Sequence, residues 1–275
     1  MCGFCEIVNK LDDVKSPFDE KDYNGVINDV WIGSITKYSL PVSVYLKTAK
    51  HLSEGVKEGL GKDILSVEWG SPDALMIQDL TENIYMFSGA KTYQNVRSLT
   101  DLLTDNELKQ NFFKFKEKAM PLMKDYNEAY LKAEYQTAIG SSRMAAEWQR
   151  IQENKDLFPY LQYETVGDGR VRPEHAILNG IVRKVDDPFW NTLYPLNGWN
   201  CRCTVKSLVE GEQTDLRGKG NLYENVPKEF RMNSGKDKVI FKEKGSGKHP
   251  YFDIAKGDKD LARKNFNLPI PSNKK

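Results

Sequence analysis

The spacing of apolar positions changes near residue 160 of this 275-residue chain. Before that point it is helical. Val44, Leu46, Leu52, Val56 and Leu60 predict a helix over 43–60 that stops at Gly59 and Gly61. Leu75, Met76, Leu80, Ile84 and Phe87 predict another over 72–88, with Ser71 as N-cap and Pro72 at the first helical position, and the pattern resumes over 91–103. Thr104-Asp105-Asn106-Glu107 has the form of a capping box and predicts a helix through Met120, with Pro121 in the first turn of the next, over 122–139. Ser141 then starts a helix over 142–154, in which Ala145, Ala146, Trp148 and Ile151 alternate with charge. Ahead of all these, 15–24 reads as a polar linker and 26–44 as short extended pieces or a shallow helix ending before Pro41.

From residue 161 the elements shorten. Residues 161–166 have the alternation of a strand, and Gly167-Asp168-Gly169 supplies a turn. Pro173 opens a short helical turn carrying His175 and Leu178, ended by Asn179-Gly180, and a second strand follows at 181–185. Asp186-Asp187-Pro188 then breaks regularity and starts a loop whose rings, Phe189, Trp190, Tyr194 and Trp199, must be buried somewhere. Residues 199–205 read as a returning strand with Cys201 and Cys203 on one side and Arg202 on the other. Later, 211–220 reads as a polar linker, 239–241 as a strand, 249–252 as a turn with anchoring rings and 259–266 as a helix. The sum is an α+β protein: an N-terminal segment with short helices (1–70), a helical region (71–158), a strand-and-loop unit (159–208) and a basic C-terminal extension (209–275).

Composition narrows the function classes. With 39% hydrophobic and 29% charged residues the chain can bury a substantial core. A net charge of +1 gives no global field toward nucleic acid. Locally, 206–275 carries sixteen Lys or Arg against ten Asp or Glu, which makes it either a solvated arm or a contact for DNA phosphates or an acidic partner surface. No apolar run reaches the ~18 residues of a membrane span, and residues 1–10 lack a signal-peptide pattern. The expectation is a protein without a membrane partner, its four cysteines reduced in a bacterial cytoplasm.

Those cysteines carry the candidate chemistry. In an extended backbone the Cα atoms of Cys201 and Cys203 stand roughly 6.5–7 Å apart, unfavourable for a disulfide, but both thiols can reach one metal ion. Zinc is the cofactor this suggests, with His175 as third ligand and Cys2, Cys5, His249 or Asp168 as candidates for the fourth. The competing reading is two reduced thiols buried as small apolar groups. Cys2 and Cys5, spaced as CxxC, read as an incidental terminus, half of a zinc site or a redox pair.

Asp168, Arg170, Arg172 and His175 also have the composition of a phosphodiester-cleaving site, with guanidinium groups to hold phosphate and an imidazole to move a proton. The sequence shows no second histidine nearby, no acidic pair at nuclease spacing, no phosphate loop and no nucleophile elbow. A non-enzymatic role is therefore expected, with a metal-dependent nuclease or processing enzyme using His175 as the alternative. In the structural reading Asp168 caps its own turn, the arginines pair with carboxylates or a partner, and His175 donates to a carbonyl or ligates metal.

The order Asp168-x-Arg170-x-Arg172-x-x-His175, then Leu178 to Gly180, an aspartate-aromatic loop and Asn200-Cys201-Arg202-Cys203, resembles the bacteriophage Mu protein F-like family of minor head proteins. Residues 130–148 resemble the helical entry to that domain, and the resemblance covers roughly 80–208. Leu196 departs from the second proline expected in the variants of Bacteroides phages. The resemblance implies a head morphogenesis protein of a tailed phage or prophage, located in the virion head near the portal and present in multiple copies. Its implied partners are the portal protein, other head proteins and packaged DNA through the C-terminal extension.

Overall fold

The structure, a computed structural model, describes residues 14–258, so Cys2, Cys5 and the helix expected at 259–266 lie outside the described residues. The fold is α+β and divides into two compact units: a helical unit of 14–54, 82–135 and 249–258, and a sheet-bearing unit of 55–81 and 136–248.

Helix α1, Glu20–Trp31, starts inside the stretch read as a linker. Its polar residues form the cap: the Asp19 carboxylate accepts from the Asp22 amide and the Asp22 carboxylate accepts from the Asp19 amide. Tyr23, Val26, Ile27 and Val30 fill its buried face. Helix α2, Val42–Leu60, ends at Gly61, whose backbone is left-handed at φ +66°. Gly59, read as a stop, lies inside α2, where an added Cβ would stand 2.2 Å from the Ile139 carbonyl oxygen. Close packing selects glycine there.

Helix α3, Pro72–Leu102, is one helix of 31 residues where two segments were expected, and Ser71 caps it by accepting from the Ala74 amide at 3.2 Å. The next cap is Asp105 alone, accepting from Glu107 and Leu108, and it starts only the short α4, Asn106–Gln110. Asn111 then caps α5, Phe112–Lys124, through the Lys114 amide. Pro121 lies within α5. The hydrogen-bond pattern widens to a π-turn over Asp125–Ala129 before α6, Tyr130–Asn154. Helix α6 runs unbroken through Gly140 and Ser141, where a new helix was expected; a Cβ on Gly140 would stand 2.7 Å from Leu196 Cδ1, so this glycine too marks a close approach.

The sheet is antiparallel in the order β2-β1-β3, with β1 Tyr160–Glu164 at its centre, β2 Val182–Lys184 and β3 Thr204–Leu208. Leu161 pairs with Arg183 on one side and with Ser207 on the other, and Glu164 pairs with Thr204 at the end of the ladder. Because β1 ends there, 201–203 have no ladder partner and are not strand, contrary to the expectation for 199–205. Asn200, at φ 56°, marks the irregular entry. Cys201 and Cys203 are nonetheless buried together while Arg202 is half-buried.

The stretch after β3 is packed. Leu222, Val226 and Phe230 complete the core formed by Trp148, Leu161, Tyr163, Trp190 and Tyr194. Asn233 donates to the Trp190 carbonyl at 3.1 Å and Ser234 to the Ser141 carbonyl at 2.9 Å, around the short helix α8, Ser234–Asp237. Ile240 and Phe241 are buried without forming the expected strand. In the helical unit, the turn Pro250–Phe252 sets the rings of Tyr251 and Phe252 against Phe87 at 5.3 and 6.2 Å. Among the described residues no helix is long and apolar enough to cross a membrane.

Candidate functional site

His175 is placed by a run of local bonds. Asp168 accepts from the Arg170 amide at 3.0 Å, the Val171 amide returns to the Asp168 carbonyl, and Arg172, at ψ 144°, leads into Pro173 at the first position of α7, Pro173–Ala176. One turn on, His175 points into the core at 3% exposure. Its Nε2 lies 3.2 Å from the Asn197 carbonyl oxygen. Since a carbonyl can only accept, Nε2 carries a proton and, in the neutral ring, Nδ1 presents its lone pair.

That nitrogen faces two sulfurs. Nδ1 is 3.7 Å from Cys201 Sγ and 3.7 Å from Cys203 Sγ. The three ligating atoms all lie within 4.8 Å of one another, in the one His/Cys/Asp/Glu cluster of this kind among the described residues. Both thiols are free and buried. The hydrogen bond from Cys203 holds the Cys201 thiol well below its ordinary range, against the opposing effect of burial, and His175 adds to the lowering. The same bond, with burial, pushes Cys203 up. Burial disfavours charge on His175, but its bond to Cys201 and the charge there outweigh this and raise it.

The surrounding shell was only partly legible. Tyr163, on the inward face of β1, donates to Asn197 Oδ1 at 2.8 Å. Asn197 is fully buried and its amide also donates to the Tyr194 carbonyl at 3.3 Å. The signal for Tyr163 was available in principle: a tyrosine on the apolar side of a strand needs a buried partner for its hydroxyl. No local signal marked Asn197, which acts through both side chain and carbonyl. Gly198 fits because a Cβ there would stand 3.2 Å from Arg172 Nη1 and 3.7 Å from His175 Nε2.

Asp168 and the arginines form a separate lock. Arg202 donates through both terminal nitrogens to the two Asp168 oxygens, each at 2.6 Å, and Arg170 approaches the same carboxylate at 3.6 Å. The bidentate Arg202 bond holds the Asp168 carboxyl far below the usual range. Arg172 donates instead to the Trp199 carbonyl. Asn200 is exposed at its left-handed position. Of the candidates for a fourth metal ligand, Asp168 is engaged by arginine, and His249 packs on Phe87 and Tyr251 in the helical unit.

The aromatic loop fastens this assembly. Asp187 accepts from the Phe189 amide and from the Arg183 guanidinium, and Trp190 Nε1 donates to the Lys184 carbonyl at 2.9 Å. Tyr194 donates to the Met144 carbonyl at 3.0 Å and sets its ring edge-on to Trp148 at 5.0 Å. Trp199 lies edge-on to Phe230 at 5.1 Å. The rings are thus seated on α6 and on the segment after β3.

Residues 89–206 match the family model described as "Phage Mu protein F like protein". The chain is 49% identical over 80 residues to the "Putative capsid assembly protein F" of Escherichia phage Mu, a match covering 29% of this chain and 17% of that protein. It is 46% identical over 66 residues to the "Mu-like prophage FluMu F protein" of Haemophilus influenzae, covering 24% of this chain and 16% of that protein. The matched stretch therefore spans about a sixth of the length of these curated relatives. No solved structure gives a significant match. Residues 89–206 of this chain are thus similar to the Phage Mu protein F like family.

Proposed function

We propose that this protein acts in head assembly of a Mu-like phage or prophage, as a structural component of the head rather than by catalytic turnover. The observation that carries this reading is the 49% identity over 80 residues to a phage Mu protein named for capsid assembly. The geometry supports the non-catalytic half. His175, Cys201 and Cys203 are each at most 5% exposed, and the nearby carboxylate Asp168 is held by arginine. In the finer reading the protein sits in the virion head beside the portal, contacts the portal protein and other head proteins in multiple copies, and touches packaged DNA through lysines of the stretch after β3. The protein reaches the head from the host cytoplasm.

The test is a prophage deleted for this gene and complemented with wild type or His175→Ala. The expectation is that deletion lowers the yield of filled heads, that wild-type protein is found in purified heads, and that His175→Ala enters heads in proportion to its remaining stability. A folded His175→Ala protein that enters heads normally but leaves particles blocked at one chemical step would instead establish catalysis. DNA contact is tested on the intact protein: phosphate-mediated binding weakens steeply with salt and ignores sequence. Absence of such binding would remove DNA from the partners.

A further inference from the structure

We propose that His175 Nδ1, Cys201 Sγ and Cys203 Sγ are three corners of a tetrahedral zinc site that pins the turn after β1 to the loop before β3. For Zn–S bonds of about 2.3 Å and a Zn–N bond of about 2.05 Å at tetrahedral angles, the nitrogen-to-sulfur edges are about 3.5–3.6 Å. Both observed edges are 3.7 Å. These two edges are thus within roughly 0.2 Å of a tetrahedral site, and the sulfur–sulfur edge is no longer than 4.8 Å. Two equal edges also mean that the nitrogen stands equally near both sulfurs.

The second argument comes from the other face of the ring. A metal-bound histidine ordinarily gives its remaining N–H to a carbonyl or carboxylate, which fixes both ring orientation and tautomer. His175 has this partner in the Asn197 carbonyl, and the Asn197 side chain is itself held by Tyr163 and Tyr194. The third argument is chemical class. Two sulfurs and an imidazole nitrogen, with the neighbouring carboxylate already bound to Arg202, suit a soft or borderline ion such as zinc and not calcium or magnesium.

Such a site compensates for the irregular backbone. Residues 201–203 have no strand to pair with, yet they must hold their course for β3 to reach β1. An ion held jointly with His175, 26 and 28 residues earlier, supplies a cross-link that the ladder does not. This inference stands apart from the assembly role: a metal-free protein that enters heads, or a zinc protein that does not, separates the two.

The decisive measurement is the metal content of the full chain, purified under reductant without chelator, incubated with zinc and dialysed. About one equivalent is expected to remain, and Cys201→Ser or Cys203→Ser is expected to lose it, together with thermal stability. Because those variants can fail to fold, the wild-type protein is also stripped and loaded with Co²⁺. Cobalt–thiolate charge-transfer and tetrahedral ligand-field bands are the expected spectrum. Wild-type protein that takes up no metal, or cobalt bound without thiolate bands, overturns the proposal. Zinc retained by folded Cys201→Ser and Cys203→Ser variants does the same. Tyr163→Phe, which frees the Asn197 side chain behind His175, is expected to keep the metal but release it to a chelator about 10–100-fold more readily; unchanged release overturns the positioning role of Tyr163 and Asn197.

Discussion

In the helical unit the buried polar centre is an ion pair between two long helices: Lys91 of α3 meets Glu134 of α6 at 2.5 Å, with side chains 1% and 2% exposed. Burial pushes Lys91 down, with Glu134 opposing, and pushes Glu134 up, with Lys91 opposing. Tyr251 lies beneath the Lys91 ammonium at 5.8 Å, and His249 packs on Tyr251. The sheet-bearing unit buries an imidazole and two thiols on a four-residue helix and an irregular loop. The difference lies in what holds the backbone. Helices α3 and α6 satisfy their own peptide groups, so their buried pair needs only to avoid leaving a charge alone. The loop bearing Cys201 and Cys203 lacks a ladder, so its side chains must also fix the backbone.

The largest effect is expected from breaking the ion pair. Glu134→Ala should destabilise the protein by about 3–5 kcal/mol, because it strands a buried charge, whereas Lys91→Met combined with Glu134→Leu should recover most or all of the loss. Denaturant midpoints decide this, and an undisturbed Glu134→Ala protein would break the comparison. In the sheet-bearing unit, His175→Ala should cost about 1–3 kcal/mol from unpaired buried groups. Adding Cys201→Val and Cys203→Val should not recover it, since apolar side chains cannot restore a cross-link. Recovery in that triple variant would show that the two centres are equivalent.

A smaller and graded effect comes from pH. His51, stacked on Tyr135 at 4.4 Å, is lowered to about 4 by burial and then by the Lys91 charge; the same causes lower His249 to about 3. Both bind a proton more readily when unfolded, near the ordinary value of 6.5. Their contribution to stability is therefore complete above about pH 6.5 and is lost as pH falls toward the folded values. Chemical denaturation between pH 7 and 4 should show this decline, and His51→Phe should flatten it. The smallest effect is expected at Asp168, whose side chain is 36% exposed. Asp168→Ala should lower stability less than any of the changes above, despite the bidentate Arg202, because solvent screens the exposed pair. A thermal shift as large as that of His175→Ala would move the weight of the site from the core to this surface lock.

How far the site was legible depends on distance along the chain. The β1 strand, the turn at Asp168 and Pro173 at the start of a helical turn follow from neighbours within a few residues, and all are present; Cys201 and Cys203 are buried together too, but from irregular backbone instead of the strand expected at 199–205. Helix boundaries fared unevenly. Ser71 was readable because a hydroxyl ahead of proline has one local use, whereas Gly59 and Gly140 looked like breaks although their lack of a side chain serves contacts with Ile139 and Leu196. The charge surplus after β3 suggested an arm, but Leu222, Val226, Phe230, Ile240 and Phe241 are buried from short turns and irregular backbone, where the i, i+4 spacing of the first three marks no continuous helix.

By itself, then, the sequence determined the change from helical to strand spacing near residue 160, the residue types of the His175 cluster and the order of motifs that marks the Mu protein F-like stretch. Local bonding and side-chain periodicity act over about four residues, which suffices for the change of spacing, while residue types and the order of motifs are read directly along the chain. Only the tertiary structure decided that Nδ1 of His175 faces both sulfurs while Nε2 is held by Asn197, that Asp168 belongs to Arg202, and that Lys91 finds Glu134. Those partners stand 22 to 43 residues apart. Their meeting depends on how whole elements bury their apolar faces, which no local pattern specifies.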